Sequence, residues 1–350
     1  MFENMDNYDL NEFVQDIING RGLSDSEIKH LLSTENHKEL DKLYQVSRIV
    51  RDKFTGNKVF LYSFIYFSTY CKNECSFCYY NKLNNISRYR LSTDEILRIC
   101  SSFKGKQIHM VDLTMGEDPY YHNNPHLLVD IVKNVKNELD LPIMVSPGVV
   151  DNDTLENLYN SGADFLALYQ ETYDKDLYER IRVGQSFRDR INARKFAKKI
   201  GFCVEDGILS GIEPDIESLI KSLRGMENNN PDMVRAMTFT PQEGTPLENQ
   251  RQSSSEQELK IISILRLMFP DKLIPASLDI EGIDGMVKRL NSGANVVTSI
   301  IPSNTTLEGV VNYDRDLEKR NRNVENVVSR LKTMGMEPAK QSEFNQIIGL

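Results

Sequence analysis

The chain is predicted to be an α/β protein, a (β/α)₈ TIM barrel with an N-terminal helical extension, on three observations. From residue 59 onward, short runs rich in Val, Ile, Phe, Tyr and Leu alternate with longer helix-like stretches, and the alternation repeats eight times. The repeats occupy roughly 245 residues, the size of a closed barrel. The runs are apolar almost without interruption, as parallel strands covered on both faces must be. The rival architecture, an open doubly wound sheet, uses the same alternation.

Residues 1–55 read as two or three helices expected to cap the barrel. Ser24 and Glu27 have the spacing of a capping box, and Gly56 closes the helix KELDKLYQVSRIVRDKFTG. The expected strands are VFLYSFIYF (59–67), IHMVDLTM (108–115), PIMVSP (142–147), DFLALYQ (164–170), CVEDGILS (203–210), VRAMTFT (234–240), LIPASLD (273–279) and NVVTSII (295–301). Between them lie the helix-like stretches TDEILRICSSF, PHLLVDIVKNVKNEL, NDTLENLYNSG, DRINARKFAKKIG, IESLIKSLRGM, SEQELKIISILRLMF and GIDGMVKRLNSG. Gly162, Gly201 and Gly293 stand where a helix end calls for a left-handed residue. QRQSSSEQE (250–258) is a polar stretch and the expected flexible connection. The charged run 313–333 is expected to be the last helix, which assigns 56–333 to the barrel and 334–350 to a C-terminal tail.

With 40% hydrophobic, 27% charged and 9% aromatic residues over 350 positions, the composition excludes a disordered or fibrous chain. Lys and Arg number 42 against 51 Asp and Glu, a net charge of −9 with no basic run, so neither nucleic acid nor an anionic membrane is an expected partner. The opening MFENMDNYDLNEF is acidic and lacks an apolar signal core, and no apolar run approaches the ~20 residues of a membrane span. A cytoplasmic location is expected. Three of the five cysteines crowd into eight residues, a pattern of a thiolate site in a reducing compartment rather than of a disulfide framework.

That cluster, Cys71-x3-Cys75-x2-Cys78, directly follows the first expected strand. In a barrel it falls on the first βα loop, on the catalytic face. Three thiolates on so short a loop can bind three irons of a cubane iron–sulfur cluster and leave the fourth iron open. A structural zinc site would need a fourth ligand, and the five histidines (His30, His37, His109, His122, His126) offer no spaced pair. A redox pair of Cys75 and Cys78 would leave Cys71 without a role. Cys100 and Cys203 read as small buried hydrophobes.

The segments FIYFSTYCKNECSFCYYN, HMVDLTMGEDPYY, ALYQETYD, RVGQSF, CVEDGIL, FTPQEGTPLE and IPASLDIEGIDGM together resemble the radical S-adenosylmethionine (SAM) enzymes. They are most similar to the lysine-mutase branch of pyrrolysine biosynthesis, which is related to biotin synthases and hydrogenase maturases. The resemblance implies the (β/α)₈ barrel independently of the strand count. It also implies a [4Fe-4S] cluster on Cys71, Cys75 and Cys78, SAM as second cofactor, and a one-electron donor such as a flavodoxin or ferredoxin. By position in that family, Phe77 borders the adenine, and Met115-Gly116-Glu117 corresponds to the segment at the SAM amino group, with Met115 replacing a glycine. Glu171 falls where relatives hold the ribose or amino group, and Arg190 where an arginine pairs with the SAM carboxylate. Without the cysteine loop, Glu171 and Arg190 would read as a surface ion pair at a helix start.

The implied reaction converts lysine to 3-methylornithine. A 5′-deoxyadenosyl radical removes a side-chain hydrogen, the skeleton fragments, and recombination creates the methyl branch. Related possibilities are a biotin-synthase-like or maturase-like enzyme for another small substrate, and a zinc-bearing barrel without catalysis. Sulfur insertion of the biotin-synthase kind needs a second cluster, for which only Cys100 and Cys203 remain.

The substrate pocket follows from electrostatics. A zwitterionic lysine sealed in a barrel must have each charge matched, because an unpaired buried ion is very costly. Charged and polar residues near strand C-termini are therefore the candidates: Arg235 for the carboxylate, and Asp112, Ser277 and Asp279 for ammonium groups, with Ser146 as a further polar contact. The spacing of two between Ser277 and Asp279 puts both on one strand face. The alternative for Asp112 is a structural Asp–Arg pair.

Overall fold

The computed structural model describes residue 2, residues 7–302 and residues 322–350. Among the described residues, three helices come first: α1 (Asn7–Ile18), α2 (Asp25–Ser33) and α3 (His37–Thr55). Then follow β1 (Lys58–Ser68), α4 (Thr93–Ser101), β2 (Met110–Met115), α5 (Pro119–Asn123), α6 (Pro125–Glu138), β3 (Ile143–Ser146), α7 (Asn152–Asn160) and β4 (Phe165–Ala167). The second half contains α8 (Lys175–Ile181), α9 (Phe187–Ile200), β5 (Cys203–Ser210), α10 (Ile216–Asn229), β6 (Met233–Thr238), α11 (Ser255–Met268), β7 (Pro275–Ser277), α12 (Gly282–Asn291) and β8 (Val296–Ile300). The chain ends with α13 (Val324–Thr333), β9 (Glu337–Pro338) and α14 (Gln341–Ile348).

The eight main strands are parallel and run in the order β6-β5-β4-β3-β2-β1-β8-β7. Each strand sits beside its sequence neighbour and β1 joins β8, which is barrel order; a doubly wound sheet would reverse at a switch point. The remaining seam, β6 to β7, is bridged at Met233 and Leu273, where the Val234 N–H donates to the Leu273 carbonyl at 2.9 Å. The barrel is nearly closed.

The two-residue pleat explains what fills it. Along β1, Val59, Leu61, Ile65 and Phe67 face the helical ring, while Phe60, Tyr62, Phe64 and Tyr66 belong to the separate interior clusters. Phe60, Met110, Met144, Phe165, Met233 and Val296 form an apolar floor. Two residues further along β1, β2, β3, β6 and β8 come Tyr62, Asp112, Ser146, Arg235 and Thr298. A polar layer therefore rests directly on the floor.

Below the floor, the C-terminal residues form a plug rather than a tail. β9 adds beside the start of β1 through Lys58–Glu337 and Val59–Pro338, and Phe344 of α14 packs against Phe60. His109 ties this plug to the barrel: the Leu61 N–H donates to its Nδ1 at 2.9 Å, and its Nε2–H donates to the Ala339 carbonyl at 2.9 Å.

The Ser24–Glu27 capping box is formed, Gly56 caps α3, and Gly162, Gly201 and Gly293 all have positive φ. The N-terminal helices lie on the outer ring, against α10, α11 and α12. Besides the C-terminal tail, two expectations are corrected. The stretch 250–258 is not all loop, because Ser255 opens α11 and Glu258 is buried and held by Arg289. The helix expected over 313–333 is α13, which begins at Val324 and is followed by α14 rather than being the last, and residues 313–321 of the expected span lie outside the described residues.

Burial lowers the pKa of His109 from 6.5. The unfolded chain therefore binds this proton more readily than the folded one, and stability from the neutral ring is present above about pH 6.5 and lost as pH falls below it. Urea titrations at pH 7.5 and 5.5 should show a loss that His109→Gln reduces by about 1 kcal/mol, the order of one group titrating across one unit. Equal pH dependence in both proteins would refute the assignment.

Candidate functional site

The C-terminal ends of the strands surround a single cavity of about 280 Å³. One end is walled by sulfur and the other by charge. Cys71, Cys75 and Cys78 line it together with Glu117, Glu171, Arg182 and Arg190, and deeper in the barrel it meets Asp112, Ser146, Arg235, Ser277 and Asp279. Two residue sets argued separately from the sequence thus share one space.

The cysteine loop is pinned by backbone bonds. The Lys72 N–H donates to the Glu117 carbonyl and the Ser76 N–H to the Ile181 carbonyl, both at 2.9 Å, while the Lys82 N–H reaches the Asn73 carbonyl at 2.8 Å. Gly116 lets the end of β2 lie directly against this loop: a Cβ there would stand 2.3 Å from the Tyr70 carbonyl oxygen and 2.9 Å from the Cys71 Cβ. Its N–H donates to the Ser68 carbonyl at 3.0 Å. Burial, augmented by the neighbouring cysteines, raises the pKa of both Cys71 and Cys78. Such a thiol cluster favours positive charge brought among the sulfurs. Among the described residues, no trio of His, Cys, Asp or Glu is gathered to hold one metal ion.

The polar wall beside the sulfurs consists of buried ion pairs. Glu171 has φ +66°, a strained conformation for a non-glycine residue, and its Oε1 accepts from Arg182 Nη2 at 2.5 Å. Arg182 also lies 5.6 Å from the Phe77 ring centre. Arg190 donates from Nε to the Tyr169 carbonyl at 2.7 Å, and its Nη1 stands 3.6 Å from Glu117 Oε1. That Nη1 is buried with no hydrogen-bond partner among the described residues. Burial alone would raise Glu117, but Arg190 and Lys72 outweigh it and hold the carboxyl below its usual range.

In the deep half, Arg235 donates from Nε to Glu205 Oε1 at 2.6 Å, also bonds the Tyr62 hydroxyl, and reaches Thr298 Oγ1 at 3.4 Å from Nη1. Asp279 accepts from Ser277 at 2.8 Å, Ser299 at 2.6 Å and Arg322 Nη2 at 2.9 Å. Arg322 leads these groups in outweighing burial, so the Asp279 carboxyl is held low. Asp112 differs. It accepts from Ser146 Oγ at 3.2 Å but has no ion-pair partner among the described residues, and burial with the nearby Glu205 charge pushes it up to about 7.

Sequence reasoning missed Arg182, Glu205 and Arg322, as well as the Glu258–Arg289 pair with bonds of 2.6 and 2.8 Å at the cavity edge. Arg182 lies inside the quoted segment RVGQSF, and its position between two strand ends was the available signal. Glu205 sits two residues beyond Cys203 on β5, next to a second carboxylate, Asp206, and a charge within a strand is the signal that singled out Asp112. Arg322 and Glu258 are distant in sequence from what they touch and gave none.

The radical SAM superfamily matches residues 65–224. The 3-methylornithine synthase of Methanosarcina acetivorans is 62% identical over 99% of both chains, and the [FeFe] hydrogenase maturase subunit HydE of Thermotoga maritima is 30% identical over 77% of this chain and 78% of its own. A crystal structure of methylornithine synthase (PylB) superposes with a TM-score of 0.93 at 61% identity, covering 96% of this chain and 99% of that one.

The close approach at Gly116 is directly testable. Gly116→Ala must displace backbone, at the 1–3 kcal/mol typical of overpacking, or about 2–4 °C in Tm per kcal/mol. Thermal melting should show that loss, with faster alkylation of Cys71 by mass spectrometry. Neither change would be seen if the Tyr70 carbonyl can move aside.

Proposed function

The chain belongs to the 3-methylornithine synthase family of radical SAM enzymes, and from that membership we propose how its residues divide the work of converting lysine to 3-methylornithine. As a radical SAM isomerase it uses a [4Fe-4S] cluster and SAM. Cys71, Cys75 and Cys78 would hold the cluster. The Nη1 of Arg190, which makes no hydrogen bond among the described residues, is available for the SAM carboxylate, for which a guanidinium edge has the right shape. Glu117 and Glu171 offer acceptors to its ammonium and ribose, and Phe77 an apolar face to its adenine. The bound pair supplies reductive cleavage to a 5′-deoxyadenosyl radical; positioning and exclusion of water fall to the protein. A flavodoxin or ferredoxin in the cytoplasm is the proposed source of the electron. Among the described residues, no helix is long and apolar enough to cross a membrane.

The carboxylate of Asp112, without an ion-pair partner among the described residues, carries the substrate assignment. Among the described residues, the deep end of the cavity carries Asp112, Arg235 and Asp279, with Glu205 and Arg322 behind them as partners of Arg235 and Asp279, three carboxylates against two guanidinium groups. Lysine brings two ammonium groups and one carboxylate, the single extra positive charge that balances the set. Arg235, steadied by Glu205, presents Nη1 to the substrate carboxylate. Asp112 and Ser146 receive one ammonium, and Ser277 with Asp279 the other. The apolar floor and the plug close the cavity from below, so pieces of a broken carbon skeleton cannot leave by that side.

Anaerobically reconstituted protein should contain about four irons and four sulfides per chain. With reductant, SAM and deuterated lysine it should yield branched product and deuterium in 5′-deoxyadenosine. Turnover of a different amino acid but not lysine would discard the substrate, and zinc in place of iron would discard the chemistry.

Because an ammonium group needs the ionised carboxylate, KM for lysine should be flat above about pH 7 and rise about tenfold per unit below it, one proton being involved. Asp112→Asn should raise KM at least about 30-fold, the lower end of the 2–5 kcal/mol for breaking a buried charge pair, and abolish that slope. A slope that persists in the variant would place the titrating group elsewhere.

A further inference from the structure

Cys75 is distinguished from the other two cysteines by side-chain donors. Gln185 Nε2 lies 3.0 Å from the Cys75 sulfur, and Arg182 Nη1 lies 3.8 Å from it. Cys71 and Cys78 are approached by backbone groups near Asn73, Glu117 and Tyr80. The amide orientation of Gln185 is dictated chemically, because Arg182 Nη1 donates to Gln185 Oε1 at 3.0 Å and a guanidinium can only donate. With its oxygen bound, the amide must turn its N–H₂ to the sulfur. Arg182 is in turn fixed by Glu171 at 2.5 Å. Glu171, Arg182, Gln185 and Cys75 thus form a chain in which each donor and acceptor has one possible assignment.

Hydrogen bonds to ligand sulfurs favour the more negative, reduced state of an iron–sulfur cluster and so raise its reduction potential. We propose that Gln185 is a positioning residue that raises the potential of the cluster by donating to the Cys75 sulfur, with Arg182 holding the amide in the donating orientation. This rests on the cluster assignment above. Being three residues from Arg182 and immediately before the α9 N-cap Ser186, Gln185 is built on the same turn that carries the polar wall, so the contact does not depend on a long mobile side chain.

Two substitutions of similar size separate donation from packing. Gln185→Met keeps the volume and removes the donor. Gln185→Glu would satisfy Arg182 and place negative charge beside the sulfur. Anaerobic potentiometric titration followed by electron-spin resonance should order the midpoints wild type, then Gln185→Met, then Gln185→Glu, most negative last. The reduced-to-oxidised ratio at a fixed potential should fall about tenfold in Gln185→Met, which is about 59 mV for one electron. Midpoints equal to wild type in variants with full iron content would overturn the proposal. So would failure of both variants to hold iron, which would make Gln185 an assembly residue. Wild-type protein lacking any cluster signal would instead be a failure of the cluster assignment.

Discussion

Ion pairing inside a closed sheet is the constraint on which the rest of this molecule depends. A barrel that places Asp, Glu and Arg in its interior must match each charge, since desolvation of a lone ion far exceeds any single packing gain. Among the described residues, five guanidinium–carboxylate pairs meet that demand around the cavity: Arg182 with Glu171, Arg190 with Glu117, Arg235 with Glu205, Arg289 with Glu258 and Arg322 with Asp279. Such pairs are poor sources of net stability. Their value here is orientation, because a guanidinium tied on one edge presents its other edge in a fixed direction.

The apolar scaffold serves that arrangement. The floor of Phe60, Met110, Met144, Phe165, Met233 and Val296, sealed below by Phe344, excludes water from the base of the cavity. In so dry a setting each pair acts at short range with little screening. The same dryness raises Asp112, which lacks a guanidinium partner among the described residues, and makes it the place where an incoming cation gains most. Structural pairing and substrate preference are thus consequences of one charge balance.

The wall near the cysteines shows a second use of pairing. Arg182 binds Glu171, faces Phe77 and orients Gln185, so one buried guanidinium connects the cofactor-side carboxylate to a ligand sulfur. Arg190, eight residues further along, leaves its Nη1 without a hydrogen bond among the described residues in the same space. Both are buried and each leaves one nitrogen without a hydrogen bond among the described residues, Nε in Arg182 and Nη1 in Arg190.

Much of this was legible in the amino-acid order alone. Local periodicity determined the barrel, because strand pleat and helix capping are short-range properties: Ser24 with Glu27, Gly56, and the alternation along VFLYSFIYF all act within a few residues. The cysteine loop was equally legible, since its three cysteines fall within eight residues. Asp112, Arg235 and Asp279 stood out as charges on apolar strands. Tertiary structure decided which of them is paired. Glu205 lies 30 residues from Arg235 and Arg322 lies 43 from Asp279, separations at which no sequence period carries information. It also decided that the last residues close the barrel's base, a role set by where β1 begins in space rather than by any signal in the segment itself.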